Sequence, residues 1–429
     1  MALLCRNARL IDPQVGLDEV CDLLVDGKRI EKVGHDIDPT GAEVRDLMGK
    51  VIIPGLVDMH VHLREPGLEY KETIETGTRA AVIGGFTGVA PMANTRPVCD
   101  TGSRVRFIVE EAEARGHCRV HPIGAVTRGL EGKELAEIGD MLAHGAVAFS
   151  DDGHGVQDNG VMRRGMDYIK MFGRTILSHC QLEDLVGKGV VNEGVVSTRL
   201  GMAGWPAAGE EMQIARDIAL CELTGCALHI QHLTTARGVE LVWDAKERGL
   251  PVTCEVTPHH LFLCEDDITD AYDTNLKMNP PLRPREDMLA LQQAVCEGKV
   301  DCIATDHAPH AAHEKMLEFE LAPFGTTGLE TALSLMLTEL VIPGRLSYGQ
   351  LVELMAVHPR EILHLPAVKL EPGCDADLTI IDPEVSFTVT EDFLGSRSHN
   401  NAFLGRDLTG RASDVYVGGN PVLVSGQVV

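Results

Sequence analysis

The sequence predicts an α/β protein: a TIM-type (β/α)8 barrel over residues 53–365, with a small β-sandwich assembled from residues 1–52 and 366–429. Three observations carry this expectation. The 429 residues suit a barrel of about 250 to 300 residues with a smaller module attached. The middle of the chain alternates short apolar runs with helical stretches, the mark of parallel strands joined by crossover helices. Both ends instead carry short strand-like runs punctuated by Gly, Pro and Asn turns.

Taken in order, the first 52 residues give Ala2–Cys5, Asp22–Val25 ahead of an Asp26-Gly27 turn, and Ile30–Val33. Eight candidate barrel strands follow: Gly55–His60, Gly85–Pro91, Arg119–Ala125, Ala146–Ser150, Thr175–His179, Ala227–His232, Pro251–Val256 and Asp301–Thr305. Helical segments such as Ser103–Arg115, Glu210–Leu223 and Arg285–Cys296 fall between them. Eight repeats argue for a closed barrel, whose active site forms at the C-terminal ends of the strands. The polar run Ala311–Ala322 reads as a mobile loop. From about residue 370 the strand texture returns with Asp377–Ile381, Ser386–Val389, Val415–Val417 and Val422–Val424. That both β-rich ends share one sandwich is inferred from their matching texture.

Composition narrows the function. The chain carries 64 acidic residues against 38 basic, a net charge of −26, with no dense run of Lys and Arg. This speaks against nucleic acid as a partner, and any anionic substrate must be drawn by local positive charge. Twelve scattered cysteines without a Cys-x-x-Cys pair fit reduced, buried thiols in the cytoplasm. The N-terminal residues show no basic-then-apolar signal pattern. No apolar run reaches the ~18 residues needed to span a bilayer.

Polar residues with metal-binding capacity collect at the ends of the predicted strands. Strand one ends in Asp58-Met59-His60-Val61-His62-Leu63-Arg64; in an extended segment residues two apart point the same way, so His60 and His62 can grip one ion. Strand four ends in Ser150-Asp151-Asp152, strand five in Ser178-His179-Cys180, strand six in Gln231-His232. Strand eight ends in Ala304-Thr305-Asp306-His307-Ala308-Pro309-His310. Singly, each of these is more often a structural residue than a ligand. Jointly, four imidazoles and two carboxylates reach the same end of one barrel. Nitrogen and oxygen donors suit zinc, and six are enough for two ions that share a bridge. Water held there would lose a proton near neutral pH. A carboxylate beside it, for which Asp306 is the candidate, would accept and return that proton.

Through nearly its whole length the sequence resembles the amidohydrolase superfamily, and specifically the long-chain bacterial (class I) dihydroorotases. Asp58–Gly67, Met92–Pro97 and Glu255–Leu261 carry the likeness. So do Lys277-Met278-Asn279-Pro280-Pro281, Ala304–His310 with Lys315, and Gly328–Thr331. The last three are the most specific. The resemblance implies two zinc ions per chain, one held by His60, His62 and Asp306, the other by His179 and His232, with Asp152 as the bridge. Many relatives bridge with a carboxylated lysine; Phe149-Ser150-Asp151-Asp152 offers none, which favours class I dihydroorotases over hydantoinases and allantoinases. Asp152 is preferred to its neighbour Asp151 as the bridge. The implied reaction is the reversible cyclisation of N-carbamoyl-L-aspartate to L-dihydroorotate. Arg64 can clamp the non-reacting carboxylate in a bidentate fork, and Asn94 can add an amide donor. By resemblance His310 and His62 also meet substrate, while Asn279 and backbone groups at Pro323 and Phe324 hold the ureide edge. A homodimer, and association with aspartate transcarbamoylase, are expected from the likeness alone. The competing readings are another cyclic amidase, or a metal-free dihydroorotase-like partner of the transcarbamoylase. The full ligand set counts against the second. His229, expected to face outward, and His259, His260, His307, His313 and Cys180 are assigned no role.

Overall fold

Eight strands in the middle of the chain run parallel, each beside its sequence neighbour, in a computed structural model that describes residues 2–429. They are Leu56–Val61, Phe86–Pro91, Arg119–Val120 continuing as Ile123–Gly124, Ala148–Phe149, Thr175–Ser178, Ala227–Ile230, Val252–Val256 and Cys302–Ile303. Each falls within or within one residue of its predicted counterpart. The two sheets they form share the third strand, and a parallel bridge between Val61 and His307 joins the eighth strand to the first. The barrel is therefore closed.

Its interior is filled by Val57, Met59, Ala90, Met92, Ile123, Ala148, Leu177, Cys302 and Ala304, all buried. A second and larger apolar layer packs between the strands and the surrounding helices. Among those helices are Gly102–Arg115, Ala208–Thr224 and Arg285–Cys296. Helices start directly after the strand ends, fixed by side-chain caps. Thr235 accepts from the Gly238 amide at 2.9 Å ahead of Ala236–Glu247, and Thr257 from the His260 amide at 3.2 Å ahead of Pro258–Phe262. Such caps satisfy amides that the first helical turn leaves free.

The two ends of the chain meet in one nine-stranded sheet. Val51–Pro54 is the seam: it lies parallel to Ala2–Asp12 through Arg9↔Val51, and antiparallel to Leu378–Thr388 through Leu378↔Pro54. Leu3, Leu10, Leu23, Ile52, Leu378 and Ile380 from both ends bury one face together. The strands are longer than expected: Asp377–Ile381 and Ser386–Val389 belong to one strand, Leu378–Thr388.

One stretch of the expected sandwich segment serves the barrel instead. Gly395 and Ser396 amides donate to Glu330, at 3.0 and 2.9 Å. The Asn400 amide donates to the Ala308 and Gly325 carbonyls, both at 3.1 Å. Residues 395–403 thus reach the rim where the strands end.

Candidate metal centre and active site

The strand ends are cross-tied before any ligand is considered. The Asp58 carboxylate accepts the backbone amides of His60 at 3.1 Å and Thr305 at 3.2 Å, and the His62 amide donates to the His307 carbonyl at 2.8 Å. Strands one and eight are thereby held in fixed register. Just beyond the ends, Arg64, His232 and Asp306 take positive φ values of 61°, 32° and 47°. Non-glycine residues in this region are strained, and such strain gathers where side chains must be aimed.

The predicted ligand atoms converge. Asp152 Oδ1 lies 3.4 Å from His60 Nε2, 3.2 Å from His179 Nδ1 and 3.6 Å from His232 Nε2. Its other oxygen lies 3.5 Å from His62 Nε2. Asp306 Oδ1 is 2.9 Å from His62 Nε2 and 3.6 Å from His60 Nε2. An ion with ligand bonds of about 2.0–2.2 Å sets tetrahedral donors about 3.3–3.6 Å apart; four of these separations match such edges, while His179–Asp152 and His62–Asp306 lie at hydrogen-bond distance. Two imidazole nitrogens also face each other, His179 Nδ1 and His232 Nε2 at 2.8 Å. His60 Nε2 is buried with no hydrogen-bond partner. A buried polar atom without a partner is costly, and a cation accepting its lone pair removes that cost. Among the donor triads close enough to share an ion are His60–His62–Asp306 and His60–Asp152–His232. His60 belongs to both, a different division from the expected one, which placed His179 with His232.

Electrostatics point the same way. Burial alone would push the His60 pKa down, yet the Glu255, Asp152 and Asp306 carboxylates hold it well above the ordinary histidine value. Burial would raise Asp152, but His60, His179 and His232 hold it well below the usual carboxylate range. The cluster favours positive charge at its centre. Asp151 is turned elsewhere: it accepts the Val126 and Thr127 amides at 2.8 and 3.0 Å and the Thr127 hydroxyl. Burial pushes its pKa up to about 6. Of the two adjacent aspartates, only Asp152 faces the imidazoles.

The cluster floors a cavity of about 300 Å³. His62, Asp152, His179, His232 and Asp306 line it, and so do Arg64, Asn94, Asn279, His310, Pro323 and Phe324. Every predicted site residue is present except His60, which lies fully buried beneath. Asn94 is oriented by His62, whose Nδ1 sits 2.9 Å from its carbonyl oxygen, and its amide donates to Asp152 at 3.3 Å. Asn279 Oδ1 is buried without a partner. His310 accepts from Lys71 through Nδ1 at 3.2 Å and donates through Nε2 to the Phe324 carbonyl at 2.8 Å. Burial and the cations Arg64, Lys71 and Lys315 hold its pKa well below the ordinary value. A larger cleft of about 620 Å³ lies between the barrel and the C-terminal strands, where Arg79 and Arg411 are found, far from this cluster of donors.

Several functional residues escaped the sequence reading. Glu255 Oε1 accepts from His60 Nδ1 at 2.5 Å, its Oε2 from His229 Nε2 at 3.1 Å, and Oε1 also from the His232 amide at 3.2 Å. His229 therefore does not face outward. It is fully buried against Glu255, because the strand stops at Ile230 and the backbone turns at His232, so alternation from His232 back to His229 fails. Lys71 and Asn400 also support the cavity wall. A glutamate within the apolar strand Val252-Thr253-Cys254-Glu255-Val256 was the available signal, since a buried carboxylate needs partners.

A closed barrel, donors gathered at its C-terminal rim and a small polar cavity above them define an enzyme of the cyclic-amide hydrolase class with a candidate metal centre. The solved L-hydantoinase (dihydropyrimidinase) of Arthrobacter aurescens superposes with a TM-score of 0.90 at 27% identity, covering 100% of this chain and 97% of that one. The D-hydantoinase (dihydropyrimidinase) of a Thermus species gives 0.85 at 26% identity, over 100% and 96%. A dihydro-orotase-like family model matches residues 49–237. The dihydroorotase of Pelotomaculum thermopropionicum is 50% identical over 99% of both chains, and that of Geobacter metallireducens 47% over 98% of this chain and 99% of its own. This chain belongs to the dihydroorotase family.

Proposed function

We propose that the enzyme interconverts N-carbamoyl-L-aspartate and L-dihydroorotate in the cytoplasm, with two zinc ions held by His60, His62, Asp152, His179, His232 and Asp306. The observation that carries this is the crowding of four imidazoles around the Asp152 carboxylate at 3.2–3.6 Å. Asp152 is the bridge in this reading. Bound there, the ions would polarise the ring carbonyl and acidify water.

The chain's own side chains do the rest. Arg64 forks onto the carboxylate that takes no part in the reaction, with Asn94 and His310 beside it. Asn279, its carbonyl oxygen free, and the backbone at Pro323 and Phe324 take the ureide edge. In ring opening Asp306 accepts the proton of the attacking water and delivers it to the departing ring nitrogen. In ring closure it takes the proton of the carbamoyl nitrogen as that nitrogen attacks the protonated side-chain carboxyl, and returns it to the departing hydroxyl, which leaves as water. Enclosure in the cavity keeps Asp306 free to do this, since no cation other than its imidazole neighbours pairs with it among the described residues. Cytoplasmic residence is supported by twelve free cysteines, ten of them buried. No helix among the described residues is long and apolar enough to cross a membrane. A homodimer and docking onto aspartate transcarbamoylase rest on family likeness only.

Assays of the purified protein on dihydroorotate, allantoin and hydantoin, side by side with a metal count, test this reading. Turnover confined to dihydroorotate and about two zinc ions per chain are expected; preference for another ring, or no bound metal, sinks it. Asp306→Asn should lower turnover by about 10³-fold with metal content largely kept. Wild-type activity in that variant would remove Asp306 from proton transfer.

A further inference from the structure

Lys277 and Lys315 fall in two of the most specific stretches of the sequence, yet the mechanism above leaves both idle. They are 2% and 8% exposed, and lysine is rarely so buried without a carboxylate partner. Among the described residues neither forms a salt bridge; both ammonium groups are spent on backbone carbonyls. Lys277 Nζ donates to Glu320 at 2.9 Å and Ala322 at 2.7 Å. Lys315 Nζ donates to Pro323 at 2.9 Å and Thr274 at 2.8 Å. Three of these four carbonyls lie within Glu320–Pro323, directly before the Phe324–Gly325 wall of the cavity.

The clamp extends into that wall. The Lys277 carbonyl accepts the Gly325 amide at 2.8 Å, and its ammonium sits 4.5 Å from the Phe324 ring centre. A trans peptide is planar, with its carbonyl and the following N–H pointing opposite ways. Tying the Pro323 carbonyl to Lys315 therefore turns the Phe324 N–H away from the ammonium. Among the described residues that N–H has no partner, which leaves a donor at a residue lining the cavity. The charges facing these lysines are few: Glu320 toward Lys277, and Asp273, Glu314, Lys71 and Lys277 toward Lys315. Burial, and for Lys315 the neighbouring cations, bring Lys277 down to about 8 and Lys315 to about 7. Holding two ammonium groups in such a place lowers stability; a cost of this kind persists where function needs it.

We propose that Lys277 and Lys315 are positioning residues for substrate recognition, fixing the Pro323–Phe324 backbone so that it presents a set hydrogen-bonding edge to the ring amide. This rests on reading the cavity as the site for carbamoyl aspartate. No reacting atom touches either lysine, so their loss weakens binding of ground state and transition state alike.

Lys277→Met and Lys315→Met in the zinc-loaded enzyme test this. Each should raise KM for carbamoyl aspartate about tenfold, the equivalent of one lost well-placed hydrogen bond. kcat and metal content should stay near wild type, and amide exchange of residues 320–325 in substrate-free protein should speed up. Unchanged KM with unchanged exchange overturns the proposal. So does a fall in kcat at constant KM, or loss of metal, since either would place the effect at the metal centre. Failure of the wild-type enzyme to turn over carbamoyl aspartate would instead sink the functional reading, while exchange still decides the clamp. Should a Met variant not fold, the Gln variant, which keeps a donor, carries the same expectation at smaller magnitude.

Discussion

A carboxylate inside the seventh barrel strand fixes the tautomer of His60. With Glu255 Oε1 2.5 Å from Nδ1, the proton belongs on Nδ1 and the lone pair on Nε2 is left for a cation, the usual arrangement behind a metal-binding histidine. Burial would raise the Glu255 pKa, but His60 and His229 hold it below the usual carboxylate range, so the group is ionised at working pH. Glu255→Gln, of nearly equal volume, should weaken zinc binding by about 10- to 100-fold, read by competition with a chromogenic chelator. Wild-type affinity would reduce Glu255 to a packing residue. The candidate metal ligands were legible in the sequence because position and chemistry coincide there, a polar side chain ending an apolar run having few structural reasons to be there; Asn279, His310, Pro323 and Phe324 came from family likeness alone. Glu255, Lys71 and Asn400 were not legible. Each acts through another side chain or a carbonyl, and Asn400 lies 90 residues from the His310 amide it accepts. Spacing says nothing of such partnerships.

At the scale of elements, strands of two to six residues were still readable, because a barrel strand is buried on both faces and appears as a short unbroken apolar run. The segment 311–322 holds a short helix, Ala312–Lys315, and tethers that composition did not reveal, for a related reason. Its composition is polar, but the Glu320 and Ala322 carbonyls are tied to the buried Lys277 and Phe319 is buried; composition reports affinity for water, whereas tethering depends on partners elsewhere. The turn after strand six is held similarly. Arg283 and Glu210, both with side chains 2% exposed, pair at 2.9 Å. Arg283 also donates to the Thr234 hydroxyl at 2.9 Å and Asn192 at 2.9 Å, while Glu210 accepts the Thr234 amide at 2.7 Å. Arg283→Ala leaves the Glu210 carboxylate buried without its cation, bonded to Thr234 two residues from His232. It should cost about 3–5 kcal/mol in a denaturation experiment, and a change below 1 kcal/mol, the range of exposed pairs, would show that the network does not hold the turn.

For the whole molecule, six candidate donors brought from five strand ends would make folding and metal binding one equilibrium. A cation that binds only where the barrel is closed stabilises it by about 2.7 kcal/mol per site at a hundredfold excess over Kd. Chelation should therefore lower the melting temperature and added zinc restore it; a melting curve indifferent to zinc would mean that the donors hold no ion in the folded state. The seam at Val51–Pro54 has a different implication. Its partner strand begins at Leu378, and the Asn400 side chain that holds Ala308 and Gly325 comes later still. All six candidate donors and every residue lining the cavity precede that point in the chain, but the side chain that ties the Ala308 and Gly325 carbonyls does not. A chain ending before Leu378 would strip Val51–Pro54 of its antiparallel partner and take Leu408, Ala412, Val415 and Leu423 out of the apolar layer around the barrel, so the C-terminal strands belong to the barrel's folding unit.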